Sequence, residues 1–166
     1  YKKLREEQRA ARAKGKLVGI GVSSYVEICA MGPSKGMASG GWESATVRVA
    51  PSGKVEILSG ACPHGQGQET SYAQIAADIL GAPFDDIRVI RGDTAQVPWG
   101  VGTFGSRATA VGGSAVYTAA QRIAAKMKKI AAAALEAPEG EVVREGCAFR
   151  ARGKSRSFAE VAFDAY

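Results

Sequence analysis

The chain has 166 residues, enough for one domain or one lobe of a larger subunit. Hydrophobic residues make up 46%, which excludes an intrinsically disordered chain, and no apolar run reaches the roughly 18 residues that would cross a membrane. The net charge of +6 is uneven: residues 1–16 hold seven Lys/Arg against two Glu, residues 144–156 hold five against one, residues 17–143 balance ten against eleven acids, and residues 157–166 add two acids.

Residues 2–14 are helix formers throughout and stop at Gly15, a plausible C-cap. Residues 17–28 (LVGIGVSSYVEI) read as a strand, with Gly19 and Gly21 allowing close backbone approach, and residues 30–41 read as a Gly-, Ser- and Pro-rich loop. Residues 43–50 and 54–59 alternate around Pro51-Ser52-Gly53, which predicts a β-hairpin. After the loop CPHGQGQ, residues 69–80 predict an amphipathic helix closed by Gly81. Asp85-Asp86 then leads into a strand at 87–90; paired catalytic acids and ordinary turn residues are both open readings of that dipeptide.

Residues 92–106 lack any periodicity, and so long a loop inside a compact domain points to function. An Ala-rich helix is expected over about 107–136, with Gly112 and Gly113 marking close packing against a neighbour. Two short strands at 141–144 and 147–150 and a last helix at 157–165 with Ser157 as N-cap complete an α+β chain: a mixed sheet with a β-hairpin and packed helices.

Two glycine-rich bends carry the candidate chemistry. In His64-Gly65-Gln66-Gly67-Gln68, the glycines let the backbone approach a ligand, the Gln66 amide offers a donor and an acceptor, and the following helix turns its free N–H groups to the same place. A solvated strand-to-helix turn is the competing reading. In Gly100-Val101-Gly102-Thr103-Phe104-Gly105-Ser106-Arg107, the glycines free amides for an anion-binding nest, Ser106 is an N-cap or a ligand donor, and Arg107 is a cation for a phosphate; an ordinary capped helix competes. His64, the single histidine, makes no metal site alone. Cys29, Cys62 and Cys147 have no ligand spacing, so no metal-binding side chains are expected. The string Gly100–Gly105 follows a loop with Pro98 and has no βαβ unit, so it is not a dinucleotide fingerprint. An odd cysteine count and the absence of a signal peptide make a cytoplasmic location the expectation.

Taken in order, GIGVSSYVE, HGQGQET-x-x-AQIAAD-x-LG, GDT and G-x-GT-x-GSRAT-x-x-GG resemble the molybdenum hydroxylase family, which includes xanthine dehydrogenase, aldehyde oxidase and the large subunit of aerobic carbon monoxide dehydrogenase. The resemblance runs from about residue 17 to 135, within a partial molybdopterin-binding domain over 1–166. It implies that Gly65, Gln66 and Gly67 contact the pterin near the metal, and that Thr103, Phe104, Gly105, Ser106 and Arg107 contact the pterin dinucleotide. The implied cofactor is molybdopterin cytosine dinucleotide with molybdenum held by the pterin dithiolene. Fe–S clusters and FAD would sit on partner subunits or domains, and a small-molecule substrate would be oxidised with water as oxygen source, in a carbon monoxide dehydrogenase-like way. The family's basic glutamate and cysteine-bearing loop have no counterpart among these residues, so the resemblance implies no catalytic residue here and an inactive fragment that works with the rest of the large subunit. A non-enzymatic module binding anions or nucleic acid is the alternative; the basic ends read rather as solvated faces.

Overall fold

The computed structural model describes residues 1–166, apart from the side chains of Ala38 and Ser39. Helix α1 (Lys2–Ala13) buries none of its residues. Strands β1 (Ala45–Val49) and β2 (Val55–Ser59) form the expected hairpin, with Val47 opposite Ile57 and Gly53 N–H closing the turn on Ala50 O at 2.9 Å. Helix α2 (Gln68–Leu80) crosses over to β3 (Ile87–Arg91), which lies parallel to β2 with Ile57 opposite Val89. The sheet order is therefore β1-β2-β3, a mixed sheet whose central strand is the most buried.

Helix α3 (Gly113–Ala134) packs against α2 and the sheet. Its buried side carries Gly113, Val116, Ala120, Met127 and Ala131. Tyr72, Ala76 and Leu80 face it from α2 at a four-residue spacing, one stripe of a helix. Strands β4 (Val143–Glu145), β5 (Ala148–Ala151) and β6 (Lys154–Ser157) make an antiparallel meander. It leads into α4 (Phe158–Phe163), which Ser157 and Glu160 start with a reciprocal capping box. Phe149, Phe158 and Val161 join the same core.

Three expectations change. Residues 17–28 are extended but enter no ladder; Val22 is 88% and Val26 96% exposed, so β-type composition lacks a sheet edge to pair with among the described residues. Strand β6 adds to the expected elements: Lys-Ser-Arg-Ser is polar throughout and carries no apolar alternation to mark a strand, yet it pairs antiparallel with β5. The long helix opens with one π-helical stretch, Ala108–Gly112, before α3 proper. Asp85-Asp86 is a turn: Phe84–Asp86 is a 3₁₀ segment, and Asp86 pairs with Lys54.

Candidate functional site

The first bend joins β2 to α2. His64 N–H donates to the side-chain oxygen of Gln66, folding the Gln66 amide back on its own turn and leaving the amide nitrogen as the donor it can offer. Gly67 takes the left-handed conformation at φ 78°, which favours glycine, and no side chain caps the helix. The first intrahelical bond in this turn is Ser71 N–H to Gly67 O, so the N–H groups of Gln68, Glu69 and Thr70 lack helical acceptors at the positive end of the α2 dipole.

The second bend, residues 99–107, leads into the π-turn. Ser44 Oγ donates to Trp99 O, and Gly60 lies directly against Gly100, backbone to backbone. Ser106 sits at φ 52°, an uncommon conformation for a residue with a side chain. It is held there by Met31 N–H donating to Gly105 O at 2.8 Å and by its own hydroxyl donating to Glu27 Oε1 at 2.6 Å. The Arg107 guanidinium lies 5.3 Å from the Phe104 ring centroid.

The two bends meet. His64 Nε2 is 3.4 Å from Thr103 O, and a cavity of about 400 Å³ opens between them. His64, Gln66 and Gln68 line it from the first bend, Thr103, Phe104, Gly105 and Ser106 from the second, and Glu27 from the side. Gly65 and Gly67 shape the first bend without lining the cavity. Two polar atoms there are buried without a protein partner: Gln68 Oε1, on a residue only 2% exposed, and Thr103 Oγ1. A buried polar atom left alone costs about 1–3 kcal/mol, so a partner from outside the protein is the natural complement. Among the described residues no group of His, Cys, Asp or Glu is arranged to hold a metal ion, and no helix is long and apolar enough to cross a membrane.

Arg107 departs from expectation. Its side chain is fully buried and donates to Glu43, Gly41 O, Gly102 O and Met31 O, so it braces the bend from behind and offers no cation to a phosphate. Glu27, Gln68 and Glu43 escaped sequence reasoning. In sequence Gln68 reads only as the start of a helix, and the two glutamates lie outside both glycine-rich bends.

Tyr72 ties the two bends to the core. Its hydroxyl donates to Ala108 O at 2.8 Å, and Gly112 passes so close that any Cβ there would overlap it. Burial, with a smaller contribution from the Glu43 charge, pushes the phenol up to about 12 against the opposing effects of Ser59 and Arg107. Above pH 10 the unfolded phenol ionises while the folded one keeps its proton, so this group's contribution to stability is present below about pH 10 and is lost as pH rises toward about 12. Tyr72→Phe is expected to cost about 0.5–1.5 kcal/mol at pH 7 by removing one hydrogen bond to Ala108 O, which keeps the Gly113 N–H. The variant's deficit should shrink between pH 10 and 12, read from urea titrations of both proteins across that range; a constant deficit would show that the phenol is not held neutral.

This combination of a mixed-sheet α+β lobe and two glycine bends closing on a polar cavity is that of the molybdopterin cofactor-binding domain family, whose sequence pattern matches residues 1–166; the chain belongs to that family. It is 40% identical over 178 residues to the carbon monoxide dehydrogenase large chain of Afipia carboxidovorans, covering 100% of this chain and 22% of that one. It is also 40% identical over 151 residues to the nicotine 6-hydroxylase large subunit of Paenarthrobacter nicotinovorans, covering 87% of this chain and 18% of that one. The crystal structure of a Cu,Mo-CO dehydrogenase in a carbon monoxide reduced state superposes with a TM-score of 0.78 at 40% identity, covering all of this chain and 22% of that chain. The chain thus spans about a fifth of the length of these relatives.

Proposed function

We propose that these residues form one wall of the cofactor site in the large subunit of a molybdenum hydroxylase that oxidises a small molecule in a carbon monoxide dehydrogenase-like way. The proposed cofactor is molybdopterin cytosine dinucleotide. The proposed partners are the remainder of the large subunit and subunits carrying Fe–S clusters and FAD, in the cytoplasm. When bound, the cofactor supplies the molybdenum that oxidises the substrate with water as the oxygen source. The 166 residues bind and orient it and are inactive alone.

The observation that carries this reading is the pair of unpartnered buried atoms, Gln68 Oε1 and Thr103 Oγ1, in the cavity where the bends meet. Their chemistry favours a heterocycle over a bare anion. Ser106 gives its only hydroxyl proton to Glu27, so toward a ligand it can only accept. Glu27, Ser106 and Gln68 therefore present acceptors, matching the N–H groups of a pterin, whereas the free N–H groups at the start of α2 suit a phosphate. Gln66, Gly65 and Gly67 shape the first bend around that ligand, and Thr103, Phe104, Gly105 and Ser106 shape the second.

Gln68→Leu in the full-length subunit separates binding from folding. Removing an amide whose buried oxygen is unpaired should leave the thermal midpoint of cofactor-free protein unchanged or higher, while molybdenum and pterin nucleotide content falls about tenfold or more, the loss of one well-made buried hydrogen bond or two. Metal analysis and chromatography of the released nucleotide read the second effect. Full occupancy in the variant would remove the assignment.

A further inference from the structure

We propose that Glu43 is a positioning residue that clamps the second bend into its ligand-binding shape; this rests on the reading of the cavity as the cofactor site. Glu43 lies outside both glycine motifs, between exposed Trp42 and the start of β1. One of its oxygens, Oε1, accepts from Val101 N–H at 3.1 Å, from Gly102 N–H at 2.8 Å and from Arg107. Arg107 Nη1 returns to Gly102 O at 2.7 Å, and its remaining donors reach Met31 O and Gly41 O. Both ends of the segment 101–107 are thus fastened to one carboxylate, and the residues between them, Thr103–Ser106, are those that face the cavity.

Two observations mark the clamp as more than packing. The bend holds Ser106 at φ 52°, a conformation that a residue with a side chain seldom adopts, so it needs restraint to stay there. And Glu43 Oε2 is buried with no hydrogen-bond partner, in a pair whose side chains are both wholly inaccessible. A buried ion pair with an unsatisfied oxygen is poorly optimised for stability, and well-packed apolar residues generally serve stability as well or better. What apolar residues cannot do is accept from the amides of Val101 and Gly102.

The test uses the full-length subunit, purified with its partners, as wild type, Glu43→Gln and the double variant Glu43→Met/Arg107→Met. Glu43→Gln leaves the Arg107 charge buried without its counterion and should lower the thermal midpoint. The double variant removes both charges and should recover part of the midpoint relative to Glu43→Gln, staying below wild type because the carbonyls of Gly41, Gly102 and Met31 lose their donor. Positioning predicts that molybdenum and pterin content nonetheless stays about tenfold below wild type and that hydrogen exchange at the Val101 and Gly102 amides speeds up about a hundredfold. Cofactor content returning together with the midpoint would show that the pair only stabilises and would overturn the proposal. If the double variant does not fold, exchange in the wild type decides. Protection of amides 101 and 102 beyond that of Gly100 supports the clamp, and its absence overturns it. The exchange readout is independent of what fills the cavity, so a wild-type subunit without pterin would sink the cofactor reading and leave the clamp to be judged on exchange alone.

Discussion

Arg107→Met is expected to destabilise the chain by about 3–5 kcal/mol, as removal of one partner from a fully buried ion pair does. The guanidinium is inaccessible and serves Glu43 and the carbonyls of Gly41, Gly102 and Met31; methionine fills much of its volume and satisfies none of them. For a chain of this size the loss corresponds to a drop in thermal midpoint of roughly 6–20 °C. Urea titration checks it directly. A loss under about 1 kcal/mol would place the pair with the weakly contributing exposed ones, contrary to its burial.

Gly60→Ala is the second large effect. A Cβ at Gly60 would lie 2.7 Å from Trp99 O and collide with the Gly100 α-carbon. Both obstacles are main chain, so no rotamer change relieves them, and the end of β2 must separate from the second bend. A loss of about 3 kcal/mol is expected, at the upper end for overpacking. Gly140→Ala is the matched control: nothing lies within 4 Å of a Cβ there, and the change should stay within about 0.5 kcal/mol. Equal effects at the two positions, compared by urea titration, would mean that the Gly60–Gly100 crossing has room to open.

The legible parts of this fold are those in which local pattern and tertiary role agree. The hairpin around Pro51-Ser52-Gly53, helix α2 with its Gly67 start and Gly81 finish, and the capped α4 each carry their boundary signals in a few adjacent residues. Residues 17–28 mislead because β-propensity reports a preference for a pleated surface and says nothing about whether a partner strand is present. The Val116–Ala131 stripe of the Ala-rich helix is buried, and the exposed apolar run is 17–28.

In the candidate site, the glycines were visible because unusual backbone geometry leaves a compositional trace. Arg107 was visible as a residue but misread, since a charge beside a glycine nest looks the same whether it faces the ligand or the core. Glu43 carries no local signal: its partners are some 60 positions away, and only folding brings them together.

Because the fastening of the second bend is wholly removed from solvent, it is also removed from the ions in solution. Mobile counterions weaken charge pairs that water can reach, and hardly touch those it cannot. The surface pairs such as Lys154–Glu136 and Arg152–Glu141 will therefore loosen as ionic strength rises, while the bend keeps its shape. A concentrated salt wash should accordingly strip whatever clings to the basic ends of the chain and leave the grip around the cavity as it was.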